Sequence, residues 1–208
     1  MSKLRSDIIE TCIKMSREGL NQGTSGNVSC RDGQGFLITP SGVPYEKLVP
    51  EMVVFVTNEG EYEGPLKPSS EWRMHADIYK VRPNAGAVVH VHSPYATALS
   101  CHGRNIPAFH YMVAVAGGED VRCADYATFG TQELSNNMIT ALIDRSACLL
   151  SNHGQVAFGD DLTQALWLAS EIETLAKQDI LARVLGEPAV LSSQEMLMII
   201  KKFKTYGR

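Results

Sequence analysis

Two histidines, His90 and His92, lie at the end of an apolar stretch with the sequence AGAVVHVHSP. Residues 85–91 are mostly small or β-branched, and none of those that precede His90 is charged. This composition predicts a buried strand. Side chains alternate across a strand, so both imidazoles leave the sheet on the same side. Neutral imidazole is a common metal ligand, but local hydrogen bonds can hold two such histidines equally well. The pair alone leaves both interpretations open.

A third metal ligand is expected at another junction between a strand and a loop. His153 fits this setting, because it follows a predicted buried strand and precedes a glycine in LLSNHGQVAFG. His110 is a further candidate. His75 falls in the middle of a predicted helix and is expected to be a surface or packing histidine, and His102 is expected in an exposed loop.

Glu71 is the leading acidic candidate. It falls in the first turn of the helix predicted in PSSEWRMHADIYKVRP. The helix dipole favours a carboxylate there, so a purely structural role is one interpretation. The other is catalytic: three histidines and a glutamate would form a zinc site whose carboxylate could leave the metal and act as a base.

Three short segments rich in glycine and hydroxyl groups could bind an anion. They are GTSGNVS with Gly23, Gly26, Asn27 and Ser29, TPSG with Thr39, Ser41 and Gly42, and PSSE with Ser69 and Ser70. Successive backbone N–H groups and a helix N-terminus bind phosphate without a lysine. Each segment taken alone is also typical of an ordinary turn.

The elements that must position these residues belong to a chain of ordinary globular composition. It has 208 residues, of which 44% are hydrophobic and 20% charged, and a net charge of −4. There is no basic run and no apolar stretch of the roughly 18 residues that would span a bilayer, so neither nucleic acid nor a membrane is an expected partner. The five cysteines are scattered and form no C-x-x-C pair, which favours reduced thiols in the cytoplasm.

Hydrophobic periodicity and turn residues predict strands mixed with helices. Helices are predicted over residues 3–20, between Pro68 and Pro83 with Ser69 or Ser70 as N-cap, from YATALS after Pro94, after Thr131, from about Asp161, and from the capping box Ser192–Glu195 to about Lys204. Strands are predicted in NVSC, FLITP, MVVFV, AFHYMVAVAGG and on both sides of SNHG. This order predicts one layered α/β domain over residues 1–208, without demanding a parallel sheet.

Taken together, these segments resemble the class II aldolase/adducin family. The resembling segments occur in the same order along nearly the whole chain: LNQGTSGNVS, LITPSGVPYEKL, PSSEW, AVVHVHSPYATA, IPAFHYMVAVAGG, YATFGT, NHG, ALWLASEIE and KFKTYG. The resemblance implies a three-layer α/β domain with a central, mostly antiparallel sheet flanked by helices. It also implies a homotetramer with four-fold symmetry and sites at the subunit interfaces.

The resemblance further implies a role for individual residues. His90, His92 and His153 would hold a catalytic Zn²⁺, and Glu71 would be its fourth ligand and the acid or base once substrate displaces it. Gly26, Asn27, Ser41, Gly42, Ser69 and Ser70 would bind the substrate phosphate. Phe129 would line the aldehyde side, Tyr111 would donate a proton in a neighbouring subunit's site, and Tyr206 would close over the site from the C-terminal tail.

The activity implied is reversible cleavage of a ketose 1-phosphate, with L-fuculose 1-phosphate as the expected substrate, to dihydroxyacetone phosphate and an aldehyde such as L-lactaldehyde. Aldolases for 5-deoxyribulose or 5-methylthioribulose 1-phosphate remain an alternative, because those sugars share the phosphate-bearing half. Ribulose-phosphate 4-epimerases of the family carry aspartate where this chain has Glu71. Methylthioribulose-phosphate dehydratases share only the His-x-His pattern, and non-catalytic adducin-like modules would lack the metal ligands.

Overall fold

The structure is a computed structural model that describes residues 2–203 and Thr205. Within these residues there are six α-helices: α1 (Ser2–Arg17), α2 (Trp72–Val81), α3 (Pro94–Ser100), α4 (Gln132–Ala141), α5 (Leu162–Val184) and α6 (Ser193–Phe203). The same part of the chain has seven strands: β1 (Asn27–Asp32), β2 (Gly35–Ile38), β3 (Val54–Thr57), β4 (Ala87–Val91), β5 (Cys123–Ala124), β6 (Ala147–Leu150) and β7 (Gly154–Gly159). Short 3-10 helices lie at Tyr45–Lys47, Pro50–Met52 and Tyr111–Ala116.

All seven strands form one sheet in the order β3-β2-β1-β4-β7-β6-β5. Neighbouring strands are antiparallel except β5 and β6, which are parallel. The central strand β4 is buried along its whole length, as its uncharged sequence predicts. It pairs Asn27 with His90 on one side and Gln155 with Val91 on the other, so β1 and β7 flank the end that carries the histidines.

Helices cover both faces of the sheet, and the central strand β4 packs apolar side chains against each of them. Ala87, Val89 and Val91 of β4 belong to the core cluster that includes α1 and α5. Val88 belongs to the opposite cluster, which includes α2 and α4. The predicted three-layer α/β fold with a mostly antiparallel sheet is therefore confirmed.

Two helix boundaries differ from the prediction. The first helix ends at Arg17 instead of residue 20, because Gly19 adopts a left-handed backbone with φ of 73°, a common way for helices to end. The helix that follows Pro68 begins only at Trp72, with Glu71 at its N-cap. Neither Ser69 nor Ser70 is the N-cap that the sequence predicts.

The apolar run in AFHYMVAVAGG predicts a strand, but this prediction is wrong. The segment contains the 3-10 helix Tyr111–Ala116. Nδ1 of His110 accepts a hydrogen bond from the backbone N–H of Met112, and Gly117 ends the helix with φ of 100°. A side-chain cap followed by a left-handed glycine stabilises a helical turn. Short apolar runs do not distinguish this conformation from a buried strand.

Other helix starts agree with the sequence. The side chains of Thr131 and Asp161 accept hydrogen bonds from Leu134 and Gln164, as N-caps of α4 and α5 do. Oγ of Ser192 accepts the backbone N–H of Glu195 at the start of α6. None of the helices in the described residues is long and apolar enough to cross a membrane.

Candidate active site

Four side chains that could bind a metal converge where β4 and β7 meet the start of α2. His90 is in β4, His92 follows that strand directly, His153 is in the turn before β7, and Glu71 is the N-cap residue of α2. One ligand atom from each lies within 4.8 Å of the ligand atoms of the other three. The alternation predicted for His90 and His92 is thus confirmed.

The turn that carries His153 depends on close backbone approach. A Cβ at Gly154 would lie 2.4 Å from the carbonyl oxygen of Val91 and 3.1 Å from Cδ2 of His92. Glycine therefore lets β7 start directly beside His92. Asn152 adopts a left-handed backbone with φ of 55°, a conformation that asparagine tolerates better than most residues. These two residues aim His153 at the other ligands.

Three short distances define the cluster. Nε2 of His90 lies 3.1 Å from Nε2 of His92 and 3.1 Å from Oε2 of Glu71. Nε2 of His153 lies 3.1 Å from Oε1 of Glu71. The edges of a tetrahedron with metal–ligand bonds of about 2.0 Å measure about 3.3 Å. Each of these three separations is close to that edge length, and one ligand atom from each of the four residues lies within 4.8 Å of the others.

The hydrogen bonding of His90 points one lone pair into the cluster. Nδ1 of His90 lies 2.8 Å from the main-chain carbonyl oxygen of Gln155 and must donate to it, because a carbonyl only accepts. Nε2 therefore carries a lone pair whenever the ring is neutral, which is the form that binds a metal. Burial by itself lowers the pKa of His90, but the Glu71 carboxylate outweighs it and raises that pKa. The same arrangement fixes the tautomer of metal-bound histidines in general.

Glu71 is charged in spite of its burial. Desolvation by itself raises the pKa of a carboxyl group, but electrostatic interaction with His90 and His153 outweighs this effect and lowers the pKa of Glu71 well below its usual range. Burial is the main cause that lowers the pKa of His92 to about 4, and repulsion by His90 and His153 is the smaller one. The cluster therefore offers a carboxylate and, at His92, a neutral imidazole near neutral pH.

These residues fit a divalent metal ion. Oε1 of Glu71 is buried and lies 3.1 Å from Nε2 of His153, but this contact does not have the geometry of a hydrogen bond. A buried polar atom without a hydrogen bond is costly, and a cation bound between the four ligand atoms would remove that cost. Three imidazoles and one carboxylate are also a donor set that zinc prefers.

A cavity of about 340 Å³ opens beside the cluster. Its lining consists of Thr24, Ser25, Gly26, Asn27, Pro40, Ser41, Gly42, Ser69, Ser70, Glu71, His92, Tyr126, Ala127, Phe129, Asn152 and His153. Hydroxyl groups, two glycines and the start of α2 make up one side of it. No lysine or arginine is among these described lining residues, so an anion there would be held by hydroxyl and N–H donors.

The structure brings most of the predicted site residues together. The cavity is lined by all six residues expected to bind phosphate, by Phe129 and by three of the expected metal ligands. The fourth expected ligand, His90, lies behind them with no exposed surface. Tyr111 does not line this cavity and has half of its surface exposed. Tyr206 lies outside the described residues.

The remaining candidate histidines lie elsewhere. His102 is exposed, as predicted, and His110 caps the 3-10 helix. His75 is fully buried, with Nε2 2.5 Å from Oδ1 of Asn27 and Nδ1 2.7 Å from Oγ of Ser29. It packs behind Glu71 within a polar network that the sequence prediction missed. The spacing of four residues between Glu71 and His75, one helical turn, was the available signal.

Two other residues that position the site were not foreseen. Asn21 is buried and its Oδ1 accepts the backbone N–H of His92 at 2.8 Å. The hydroxyl of Tyr45 donates to the carbonyl oxygens of Ser25 and Gly26 at 2.7 and 3.1 Å. Both hold the glycine-rich loop before β1 in place. Only the polar character of NQGTSGN pointed to this loop.

Comparison with known proteins agrees with this geometry. Residues 6–180 match the family described as Class II Aldolase and Adducin N-terminal domain. The chain belongs to this family. The match, the four-ligand cluster and the fold together define it as a class II aldolase.

Two full-length relatives and one solved structure are especially similar. The 5-methylthioribulose-1-phosphate/5-deoxyribulose-1-phosphate aldolase of Rhodospirillum rubrum is 52% identical over 204 residues, which are 98% of this chain and 92% of that protein. The L-fuculose phosphate aldolase of Escherichia coli (strain K12) is 51% identical over 207 residues, 99% of this chain and 96% of that protein. A solved structure titled L-fuculose 1-phosphate aldolase superposes with a TM-score of 0.95 at 41% identity, covering 98% of this chain and 97% of the other.

Proposed function

We propose that the protein is a zinc-dependent aldolase that reversibly cleaves L-fuculose 1-phosphate to dihydroxyacetone phosphate and L-lactaldehyde. The observation that carries this proposal is the convergence of Glu71, His90, His92 and His153 within 4.8 Å, beside a cavity lined by hydroxyl groups and glycines. The similarity to the L-fuculose phosphate aldolase of Escherichia coli supports the choice of substrate.

A second candidate substrate is 5-deoxyribulose or 5-methylthioribulose 1-phosphate. The relative from Rhodospirillum rubrum named for these sugars is as similar as the one named for L-fuculose phosphate, at 52% against 51% identity. All three sugars share the phosphate-bearing half and differ in the aldehyde that leaves. Phe129, which lines the cavity, would contact that aldehyde, and Tyr126, Ala127 and Asn152 are further candidates from the same lining.

The phosphate would be held away from the bond that breaks. Gly26, Ser41, Gly42, Ser69 and Ser70 offer hydroxyl and backbone N–H donors on one side of the cavity, and Asn27 adds a side-chain amide. Binding energy from such a remote group can be used to orient the reacting carbons and to stabilise the transition state.

Cleavage between C3 and C4 requires two proton transfers. Zn²⁺ bound by the three histidines would act as a Lewis acid toward the negative charge left on the oxygens of the three-carbon half. Glu71, once displaced by substrate, would carry the proton at C3 as general acid and base. Tyr111 of a neighbouring subunit would take the proton from the C4 hydroxyl in cleavage and return it in synthesis. Tyr206 would close over the site.

The role of Tyr111 requires an oligomer, and we propose a homotetramer with sites at the subunit interfaces. Tyr111 has 50% of its surface exposed, on the 3-10 helix and away from its own cavity. Light scattering would test this, with an expected mass of four times the 22.8 kDa of one chain. All five cysteines are free thiols, which supports the expected reducing, cytoplasmic location.

A coupled assay for release of dihydroxyacetone phosphate tests the activity. L-fuculose 1-phosphate, 5-deoxyribulose 1-phosphate and 5-methylthioribulose 1-phosphate would be offered separately, with and without a chelator, and again after zinc is restored. Release that stops with chelator and returns with zinc is the expected result, and the highest kcat/KM identifies the preferred sugar. If zinc-loaded protein releases nothing from any of them, the aldolase proposal is wrong and the epimerase and dehydratase alternatives come next.

A further inference from the structure

A chain of five polar side chains leads from the interior of the protein to the candidate acid–base residue. Its members are Glu71, Asn27, His75, Ser29 and Tyr79, and none is more than 6% exposed. Glu71, His75 and Tyr79 are four residues apart and therefore lie on one face of α2 and its N-cap. Asn27 and Ser29 are two residues apart and lie on one face of β1. The five side chains alternate between helix and strand.

Four hydrogen bonds connect the chain without a gap. Nδ2 of Asn27 lies 3.1 Å from Oε2 of Glu71, and Oδ1 of Asn27 lies 2.5 Å from Nε2 of His75. Oγ of Ser29 lies 2.7 Å from Nδ1 of His75 and 2.7 Å from the hydroxyl of Tyr79. Each of these contacts has the length of a normal or short hydrogen bond.

The carboxylate fixes the direction of every bond in the chain. Ionised Glu71 can only accept, so Asn27 must present its N–H₂ to Glu71 and its carbonyl oxygen to His75. Nε2 of His75 therefore carries the proton, and Nδ1 accepts from the hydroxyl of Ser29. That hydroxyl oxygen is left to accept from Tyr79. Burial lowers the pKa of His75 to about 3, in keeping with a neutral ring that has one donor and one acceptor.

The chain makes the two oxygens of Glu71 unequal. Each oxygen lies 3.1 Å from Nε2 of one histidine, Oε2 from His90 and Oε1 from His153. Only Oε2 also accepts the hydrogen bond of Asn27, and no contact of buried Oε1 with the described residues has hydrogen-bond geometry. Hydrogen bonds that all run in one direction polarise one another and strengthen the last one. A carboxylate held in this way presents Oε1 as the oxygen with unused lone pairs.

We propose that His75 is a positioning residue, which acts through Asn27 to hold Oε2 of Glu71 and so directs ligand exchange and proton transfer to Oε1. This role rests on the proposed function, in which Glu71 carries the proton. Without His75, Oδ1 of Asn27 would lose its donor and the amide could rotate. Glu71 would then lose its fixed orientation while the three histidines stayed in place.

The tautomer of His75 gives a test that needs neither metal nor activity. Metal-free protein labelled with ¹⁵N only in its six histidines would be studied by long-range ¹H–¹⁵N NMR, and the signal lost in H75Q would identify His75. The expected result is a ring protonated at Nε2 and not at Nδ1. A proton at Nδ1 would reverse the chain, leave Asn27 unable to donate to Glu71, and overturn the proposal.

Steady-state kinetics test the consequence. We expect His75→Leu to retain one zinc per chain and a KM within about twofold of wild type, and to lower kcat by the roughly 10- to 100-fold that outer partners of metal ligands contribute. His75→Gln, which keeps an N–H donor, should recover most of that loss. Ile78→Ala is the matched control, since Ile78 is fully buried on the same helix and is not part of the chain; it should lower stability without lowering kcat.

The outcomes separate this proposal from the proposed function. If the wild-type protein is active and His75→Leu has the same kcat, the positioning role alone is overturned. The same holds if kcat falls in His75→Leu but falls equally in Ile78→Ala. If the wild-type protein releases no dihydroxyacetone phosphate, the proposed function fails and the role of His75 fails with it. Should His75→Leu not fold, His75→Gln and the NMR measurement decide between the same alternatives.

Discussion

Oδ1 of Asn21 accepts a hydrogen bond from the backbone N–H of His92 at 2.8 Å. This contact joins the glycine-rich loop before β1 to the metal-binding end of β4. Gly26 lies against the same asparagine, because a Cβ there would be 2.1 Å from Nδ2 of Asn21 and 2.6 Å from the carbonyl oxygen of His90. The side of the cavity proposed to bind the phosphate and the proposed metal ligands are therefore packed as one unit.

Gly26→Ala should damage both sides of the site together. The new methyl group would displace buried Asn21 and press on the backbone of His90, which typically costs about 1–3 kcal/mol, in addition to left-handed backbone strain of about 1–2 kcal/mol. Gly33→Ala is the control, because Gly33 has a φ of 56° but no neighbour within 4 Å of its Cβ position. Denaturant unfolding and zinc titration would measure the effect. Equal losses in both variants would show that only backbone strain matters at Gly26.

His92→Ala should lose zinc and activity together. Removing one of three imidazoles leaves an incomplete donor set, so zinc affinity should fall by more than the roughly 10- to 100-fold typical of an outer hydrogen-bond partner. Metal analysis after dialysis would measure this directly. His102→Ala, at an exposed histidine, should keep its zinc. A His92→Ala protein that retains both zinc and turnover would exclude His92 as a ligand.

Glu71→Gln should keep zinc but lose most turnover. The amide preserves size and an oxygen donor but cannot carry a proton at neutral pH, so kcat should fall by about 100- to 10,000-fold. Glu133→Gln makes the same change in the first turn of α4 and should leave kcat unaltered. Parallel measurement of kcat, KM and zinc content separates the two functions of Glu71. Retained turnover would make Glu71 a structural residue at the start of α2.

Local signals in the sequence made His90, His92 and His153 candidates, and the resemblance to class II aldolases selected Glu71 as the fourth ligand and implied the metal. Alternation along β4 places His90 and His92 on one side, and a histidine before a glycine marks the turn before β7. Burial of an uncharged strand then fixes β4 at the centre of the sheet. None of these steps depends on knowing how distant elements pack.

The environment of His75 could not be predicted in this way. Its two partners, Asn27 and Ser29, come from β1, more than 45 residues earlier in the chain. Their contact depends on how α2 is placed over the sheet, which no short pattern reports. The same limit explains the error at AFHYMVAVAGG, where a cap by His110 and a left-handed Gly117 outweigh an apolar run that favours a strand. The position of Tyr111 in a neighbouring site stays a prediction.

Deleting residues 205–208 should weaken cleavage while sparing folding and metal binding. Thr205, the one residue of this segment that the structure describes, hydrogen-bonds to the carbonyl oxygen of Lys202 one turn away. We expect thermal stability and zinc content to be unchanged in the truncated protein. Loss of Tyr206 would remove the expected closure over the site, and misplaced substrate can cost on the order of 100-fold in rate. A control that lacks only residues 207–208 keeps this tyrosine. Equal kcat values for the two truncated proteins would exclude Tyr206 from the mechanism.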